Sequence, residues 1–181
     1  MSNRVELRFS GTGGQGLITA GIIFAEAAIN AGKNAVQSQS YGPEARGGAS
    51  KAEVIISDGE IDYPKVTKAD LLLAMSEEAY NKYKGDLKKG GILVMDSSLI
   101  NKEPDIDAKV YKIPITKLAQ EEVGKTIVAN IVALGAITAI TKLVPKEIIE
   151  EAVFNRFPKA KELNKKALNI GFEAVSRCKE C

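Results

Sequence analysis

The chain has no histidine among its 181 residues. That excludes a Ser-His-Asp triad, a Cys-His pair and any metal site built on imidazole. Chemistry done alone would fall to carboxylates, lysines, tyrosines or a terminal cysteine, so a bound cofactor or a catalytic partner is favoured over a self-contained active site. Cysteine is almost as scarce: Cys178 and Cys181 are the two present, and they cannot staple a secreted fold. Their C-x-x-C spacing supplies half of a four-ligand site and the chain holds no further cysteine or histidine to complete it. A solvated tail with a reversible disulfide is expected there, and a cluster or zinc shared with a partner is the alternative. No apolar run reaches the roughly 18 residues of a membrane span, and the N-terminus has no signal-peptide pattern, so a cytoplasmic protein is expected. Lys plus Arg number 25 against 23 Asp plus Glu. That near balance gives no argument for nucleic acid or an anionic membrane as partner.

Hydrophobic residues make up 45% of the sequence, enough to fill the core of one domain over residues 1–181. Val5, Leu7 and Phe9 alternate with charged neighbours as in a strand. A helix is predicted over 15–31, ended by Gly32. Further strands are predicted over 34–39, 51–57, 71–75, 92–96 and 109–113. Asp58-Gly59 suggests a hairpin turning into 60–63. Gly90-Gly91 reads as a turn after a polar helix over 77–87. The remainder reads as helices over 116–123, 129–143, 145–154 and 159–177, a helical C-terminal extension starting at about 158. Strands alternating with helices predict an α/β fold with a doubly wound, mainly parallel sheet and helices on both faces. Two of the helices, 17–31 and 129–140, are apolar on nearly every side. Burying both is easier if one meets another chain, so a docking face and self-association of the isolated chain are expected.

Two loops carry the candidate site. Gly11, Gly13 and Gly16 spell G-x-G-x-x-G between the first strand and the first helix, where backbone N–H groups can meet an anion at a helix N-terminus. NAD recognition also needs an acid about 20 residues on. Here Gln37, Ser38 and Gln39 stand in that region, and the first acid is Glu44. A phosphate-bearing ligand other than NAD is the better reading, and a glycine-rich corner that binds nothing is the alternative. The second loop, SQSYGPEARGGAS over 38–50, also follows a strand, so both should open on the same edge of the sheet. Arg46 could grip a phosphate and Tyr41 offer an aromatic face. An Arg46–Glu44 surface pair is the plainer possibility.

GTGGQGLITAGIIFAEAA, SQSYGPEARGGASKAEVIIS with DGEIDYP, and VANIVALGAI together resemble the gamma subunit of 2-oxoacid:ferredoxin oxidoreductases. SYGPEARGG is most similar to the 2-oxoglutarate branch, and the likeness runs to about Phe157. The resemblance implies a Rossmann-like subunit of a complex that converts a 2-oxoacid and coenzyme A to an acyl-CoA, CO₂ and reduced ferredoxin. Thiamine diphosphate, Mg²⁺ and iron–sulfur clusters would lie on alpha, beta and ferredoxin-like delta subunits, with ferredoxin as electron acceptor. This chain would be noncatalytic, associated with the coenzyme A side of the reaction and with assembly. Its contacts would be Gly11, Gly13, Gly14, Gln15 and Gly16, with Tyr41, Gly42, Glu44, Arg46, Gly47 and Gly48. A free-standing nucleotide-binding oxidoreductase using NAD or a flavin, a purely structural subunit, and the pyruvate, branched-chain or indolepyruvate version of the complex remain as alternatives.

Overall fold

The computed structural model describes residues 3–40 and 48–178. Six strands form one sheet: β1 (Arg4–Thr12), β2 (Asn34–Gln39), β3 (Ala49–Ser57), β4 (Ala69–Ala74), β5 (Leu87–Asp96) and β6 (Ala108–Ile113), in the order β2-β3-β1-β4-β5-β6. β1, β4, β5 and β6 pair in parallel, while β3 runs antiparallel to both β1 and β2. Five strands therefore point one way, as expected for a mainly parallel doubly wound sheet. The hairpin, however, joins β2 to β3 and not 51–57 to 60–63. β3 already begins at Ala49, and its other end leads into the 58–68 segment, which forms no strand.

The helices are α1 (Leu17–Asn30), α2 (Glu77–Tyr83), α3 (Ile115–Leu118), α4 (Ala129–Thr141), α5 (Lys146–Arg156) and α6 (Lys161–Arg177). α1, α4, α5 and α6 share one core with Leu7, Phe9, Val54, Ile56, Leu71 and Leu73. α2 closes a second core with Ile55, Leu72, Leu93 and Tyr80. The period-2 alternation of β1 puts Leu7 and Phe9 in the first core and the buried Arg8 and Ser10 on the opposite face of the sheet. α1 ends as its sequence predicts. Gly32 takes φ +81°, its N–H donates to the Ile29 carbonyl, and the Lys33 N–H donates to the Ala28 carbonyl, a left-handed cap that satisfies two terminal carbonyls.

Three predicted features are shifted. The polar helix stops at Tyr83 and passes through a short 3-10 turn, because β5 begins at Leu87. Gly90-Gly91 is then no turn between elements but part of an irregularity inside β5, where pairing jumps from Ala69–Leu87 to Leu71–Ile92. Gly90 has φ +70° there. The stretch predicted as a helix over 116–123 divides into α3 and a π turn, Ala119–Val123.

α4 answers the question of the apolar helices. Every residue from Ala129 to Thr138 is buried within this chain, largely because α6 lies against it at a glycine crossing. A Cβ on Gly135 would overlap the Leu168 carbonyl, and one on Gly171 would overlap the Val132 carbonyl. α1 is buried along Leu17, Ala20, Gly21, Ile23 and Phe24. Of the two helices considered as a docking face, α4 has no free face over 129–138, since the chain's own layers cover it, while Ile29 on α1 is exposed. Cys178 also departs from the expected solvated tail. It is half-buried, packs against the first core, and its thiol donates to the Lys112 carbonyl at 3.4 Å. Cys181 lies outside the described residues.

Candidate functional site

The carboxyl ends of β1 and β2 lie at the same edge of the sheet, since both strands run antiparallel to β3. Gly11 pairs with Ser50 and Thr12 with Ala49, and Ser50 Oγ donates to the Gly11 carbonyl at 3.4 Å. The corner after β1 and the end of the second loop are therefore neighbours, as the two-loop argument requires. Of the loop residues proposed from sequence, Gly48 is described and immediately precedes β3. Tyr41, Gly42, Glu44, Arg46 and Gly47 lie outside the described residues.

The glycines of the corner divide by what surrounds them. At Gly11 a Cβ would overlap Gln15 Oε1. The Gln15 side chain folds back over that position: Oε1 accepts from the Thr12 N–H at 2.8 Å and Nε2 donates to the Met75 carbonyl at 2.9 Å. It ties the end of β1 to the end of β4. At Gly16, φ is +74° and a Cβ would lie 2.6 Å from Asn130 Nδ2, which donates to the Gly16 carbonyl at 3.1 Å. Gly14 is different, with φ +90° and, among the described residues, nothing within 4 Å of an added Cβ. Left-handed backbone explains Gly14 and Gly16. Close approach of a side chain explains Gly11, and Gly16 a second time.

Among the described residues no side chain caps α1, and its first turn holds no acid. The amides of Leu17, Ile18 and Thr19 have no intrahelical acceptor, and the helix dipole adds positive potential. They open on a cavity of about 340 Å³ bordered by Thr12, Gly13, Gly14, Thr19, Ser40 and Ser50 among others. Backbone donors, hydroxyls and a glycine turn make a lining suited to an anion. On the other side of Gly14 lies a second cavity of about 310 Å³, between Gln15, Thr116, Thr126, Leu99 and Ile127. Its rim is apolar: Ile127 is 79% exposed and Leu99 43%. Asp96 supports that rim from beneath, fully buried, accepting from Ser98 N–H at 3.0 Å and Thr116 N–H at 3.0 Å.

A larger cavity, about 410 Å³, lies over β2 and β3 beside Lys51 and Glu53. Two of its charged side chains, Lys51 and Glu53, are paired within the chain. Arg8, 2% exposed, pairs with Glu53 at 2.7 Å and Asp86 at 2.6 Å, and Lys51 pairs with Glu53 at 2.9 Å. Glu53 is also the carboxylate facing Ser38 in register, so its pairing removes it as a ribose partner at the end of β2. The groups with displaced ionisation are remote from the corner. The Lys84 ammonium, and after it the Tyr80 hydroxyl, hold Asp105 down to about 2, and burial pushes the Tyr80 hydroxyl up. Among the described residues no three His, Cys, Asp or Glu side chains gather as metal ligands, and no helix is long and apolar enough to cross a membrane.

Sequence reasoning missed Asn130. Its signal was available: a lone amide in the first turn of an otherwise apolar helix, buried to 5% exposure. Gln15 was placed in the site, and its amide is occupied by Thr12 and Met75 backbone.

The pyruvate ferredoxin/flavodoxin oxidoreductase family matches residues 6–174, past Phe157 and into α6. The 2-oxoglutarate synthase subunit KorC of Methanocaldococcus jannaschii is 52% identical, with 95% of this chain and 94% of that protein covered. The pyruvate synthase subunit PorC of the same organism is 34% identical over 94% of this chain and 97% of its own length. Among solved structures, the gamma subunit of a keto/oxoacid ferredoxin oxidoreductase from Geobacter sulfurreducens is 54% identical. It superimposes with a TM-score of 0.91, covering 98% of this chain and 99% of that one. At 24% identity, the 2-oxoglutarate:ferredoxin oxidoreductase of Magnetococcus marinus, solved with 2-oxoglutarate, coenzyme A and succinyl-CoA bound, shares the fold. Its TM-score is 0.88, covering 98% of this chain and 32% of that longer chain. With the mixed six-stranded sheet and the glycine corner in place, this chain belongs to the pyruvate ferredoxin/flavodoxin oxidoreductase family, as a gamma-type subunit of a 2-oxoacid:ferredoxin oxidoreductase.

Proposed function

We propose that the chain serves a 2-oxoglutarate:ferredoxin oxidoreductase as a noncatalytic subunit that holds a phosphate-bearing part of coenzyme A. The complex would convert 2-oxoglutarate and coenzyme A to succinyl-CoA and CO₂, passing electrons to ferredoxin. The choice of 2-oxoacid rests on the KorC relatives, whose identity to this chain exceeds that of the PorC relatives. Thiamine diphosphate with Mg²⁺ and the iron–sulfur clusters would sit on alpha, beta or delta subunits, and no step of their chemistry is assigned to this chain.

The observation that carries the coenzyme A reading is the start of α1, uncapped among the described residues, beside a cavity that Thr12, Thr19, Ser40 and Ser50 line together with Leu17 and Ile18, next to Gly13 and Gly14. Gly14 fits the role because a Cβ there would project into open space, leaving the backbone free to approach an anion. Arg46 would supply the paired charge. For assembly, the exposed Ile127 and Leu99 on the far side of Gly14 are the apolar surface that a neighbouring subunit would cover.

The test is Arg46→Ala in the assembled complex. Losing a charge-assisted contact of about 1.5–3 kcal/mol should raise the KM for coenzyme A about tenfold to a hundredfold. The KM for 2-oxoglutarate should stay as it was. An unchanged coenzyme A dependence would leave the corner as a packing element against a partner.

A further inference from the structure

The stretch VANIVALGAI, residues 128–137, has so far only a packing role. Its single polar side chain does something packing does not require. Asn130 sits in the first turn of α4, and its Nδ2 donates to the carbonyl of Gly16, the residue that begins α1. That carbonyl already accepts the helical bond from the Ala20 N–H at 3.0 Å. The second bond therefore adds no missing satisfaction to Gly16. It fixes where the first turn of α1 stands relative to α4, and Gly16 lacks a Cβ at the place where Asn130 comes in.

We propose that Asn130 is a positioning residue for the anion at the start of α1, the counterpart of the Gln15 side chain that holds the same turn from the β4 side. The inference rests on the coenzyme A reading. Between the two struts, Gly13 and Gly14 and the amides of Leu17, Ile18 and Thr19 are held in place before the ligand arrives. Donors fixed beforehand lose less order on binding than donors on a loose turn. Neither strut needs to touch the ligand.

Two substitutions in the assembled complex separate positioning from packing. Asn130→Ala removes the strut. Asn130→Asp keeps nearly the same volume, but its carboxylate cannot donate to the Gly16 carbonyl and adds a negative charge one residue from the corner's anion site. Positioning of an anion predicts a ranking of the KM for coenzyme A: Asp above Ala above wild type. The Ala variant should rise by about threefold to tenfold, with kcat at saturating coenzyme A within about twofold. A packing role predicts instead that the Ala variant lowers kcat at saturating coenzyme A and the Tm of the complex as much as it moves the KM for coenzyme A, and that result overturns the proposal. If the Asp variant fails to assemble, Asn130→Ala decides alone, through its KM-against-kcat split. Arg46→Ala distinguishes the two levels. A coenzyme A effect at Arg46 with none at Asn130 ends this inference and leaves the proposed function standing, whereas no effect at either residue ends both.

Discussion

Two glycine sites in this chain look alike in sequence and differ in what surrounds them. At the α4–α6 crossing, Gly135 and Gly171 each face the other helix's backbone, and a Cβ on either would overlap a carbonyl. At the corner after β1, Gly14 faces open space beside two cavities. The first pair is closed by the chain itself and serves stability. The second is left open by the described residues, and its backbone is available to something else. A glycine leaves its backbone open to a ligand only when the volume its missing Cβ leaves is not filled from within.

The largest expected effect breaks the closed site. Gly171→Ala sets a methyl against the Val132 carbonyl, which is backbone and cannot swing aside. Overpacking of this kind should cost about 3 kcal/mol, or roughly 6–12 °C in Tm for a chain of this size. Thermal unfolding of the isolated subunit reads it, and a Tm within a degree or two of wild type would mean the helices can slide apart. A pair of milder variants sharpens the open site. Gly14 and Gly32 both hold left-handed backbone with no neighbour to their Cβ. Gly14→Ala and Gly32→Ala should therefore each cost about 1–2 kcal/mol. Only Gly14→Ala should also raise the KM for coenzyme A. Equal coenzyme A behaviour in the two would count against the corner as a binding site.

That contrast also explains how much could be read beforehand. The alternation of Val5, Leu7 and Phe9, the left-handed cap at Gly32 and the buried run of β4 follow from local rules, so the doubly wound sheet was legible. The hairpin was misplaced because Asp58-Gly59 is a good turn signal, yet the pairing of 34–39 with 52–57 is decided by burial across the sheet. Gly90-Gly91 misled for a similar reason: an irregularity in β5 and a turn use the same residues. Within the site, the G-x-G-x-x-G spacing located the corner. It could not reveal that Gly11 makes room for Gln15 and Gly16 for Asn130, because Asn130 is 114 residues away in sequence. Arg8 was equally illegible as a buried residue, since its partners Glu53 and Asp86 lie on distant segments.

The smallest expected effect concerns charge far from either glycine site. Asp105 is held down to about 2 chiefly by its hydrogen bond from Lys84. A carboxylate with a depressed pKa contributes stability above its unfolded value and loses it as pH falls through the folded value. The stability difference between wild type and Asp105→Asn should thus be constant above about pH 4.5 and close between about pH 4 and 2. Exposure of the pair keeps it small. Urea midpoints across that range measure it, and a difference that does not shrink between about pH 4 and 2 would contradict the assignment.

The claim that the open corner binds coenzyme A is tested most directly by amide hydrogen exchange on the assembled complex, with and without coenzyme A. The account predicts slowed exchange at Gly13, Gly14, Leu17, Ile18 and Thr19 on adding coenzyme A. The α4–α6 crossing, closed in either state, should exchange at the same rate throughout. Unchanged exchange at the start of α1 under saturating coenzyme A, with protection confined to other subunits, would contradict it.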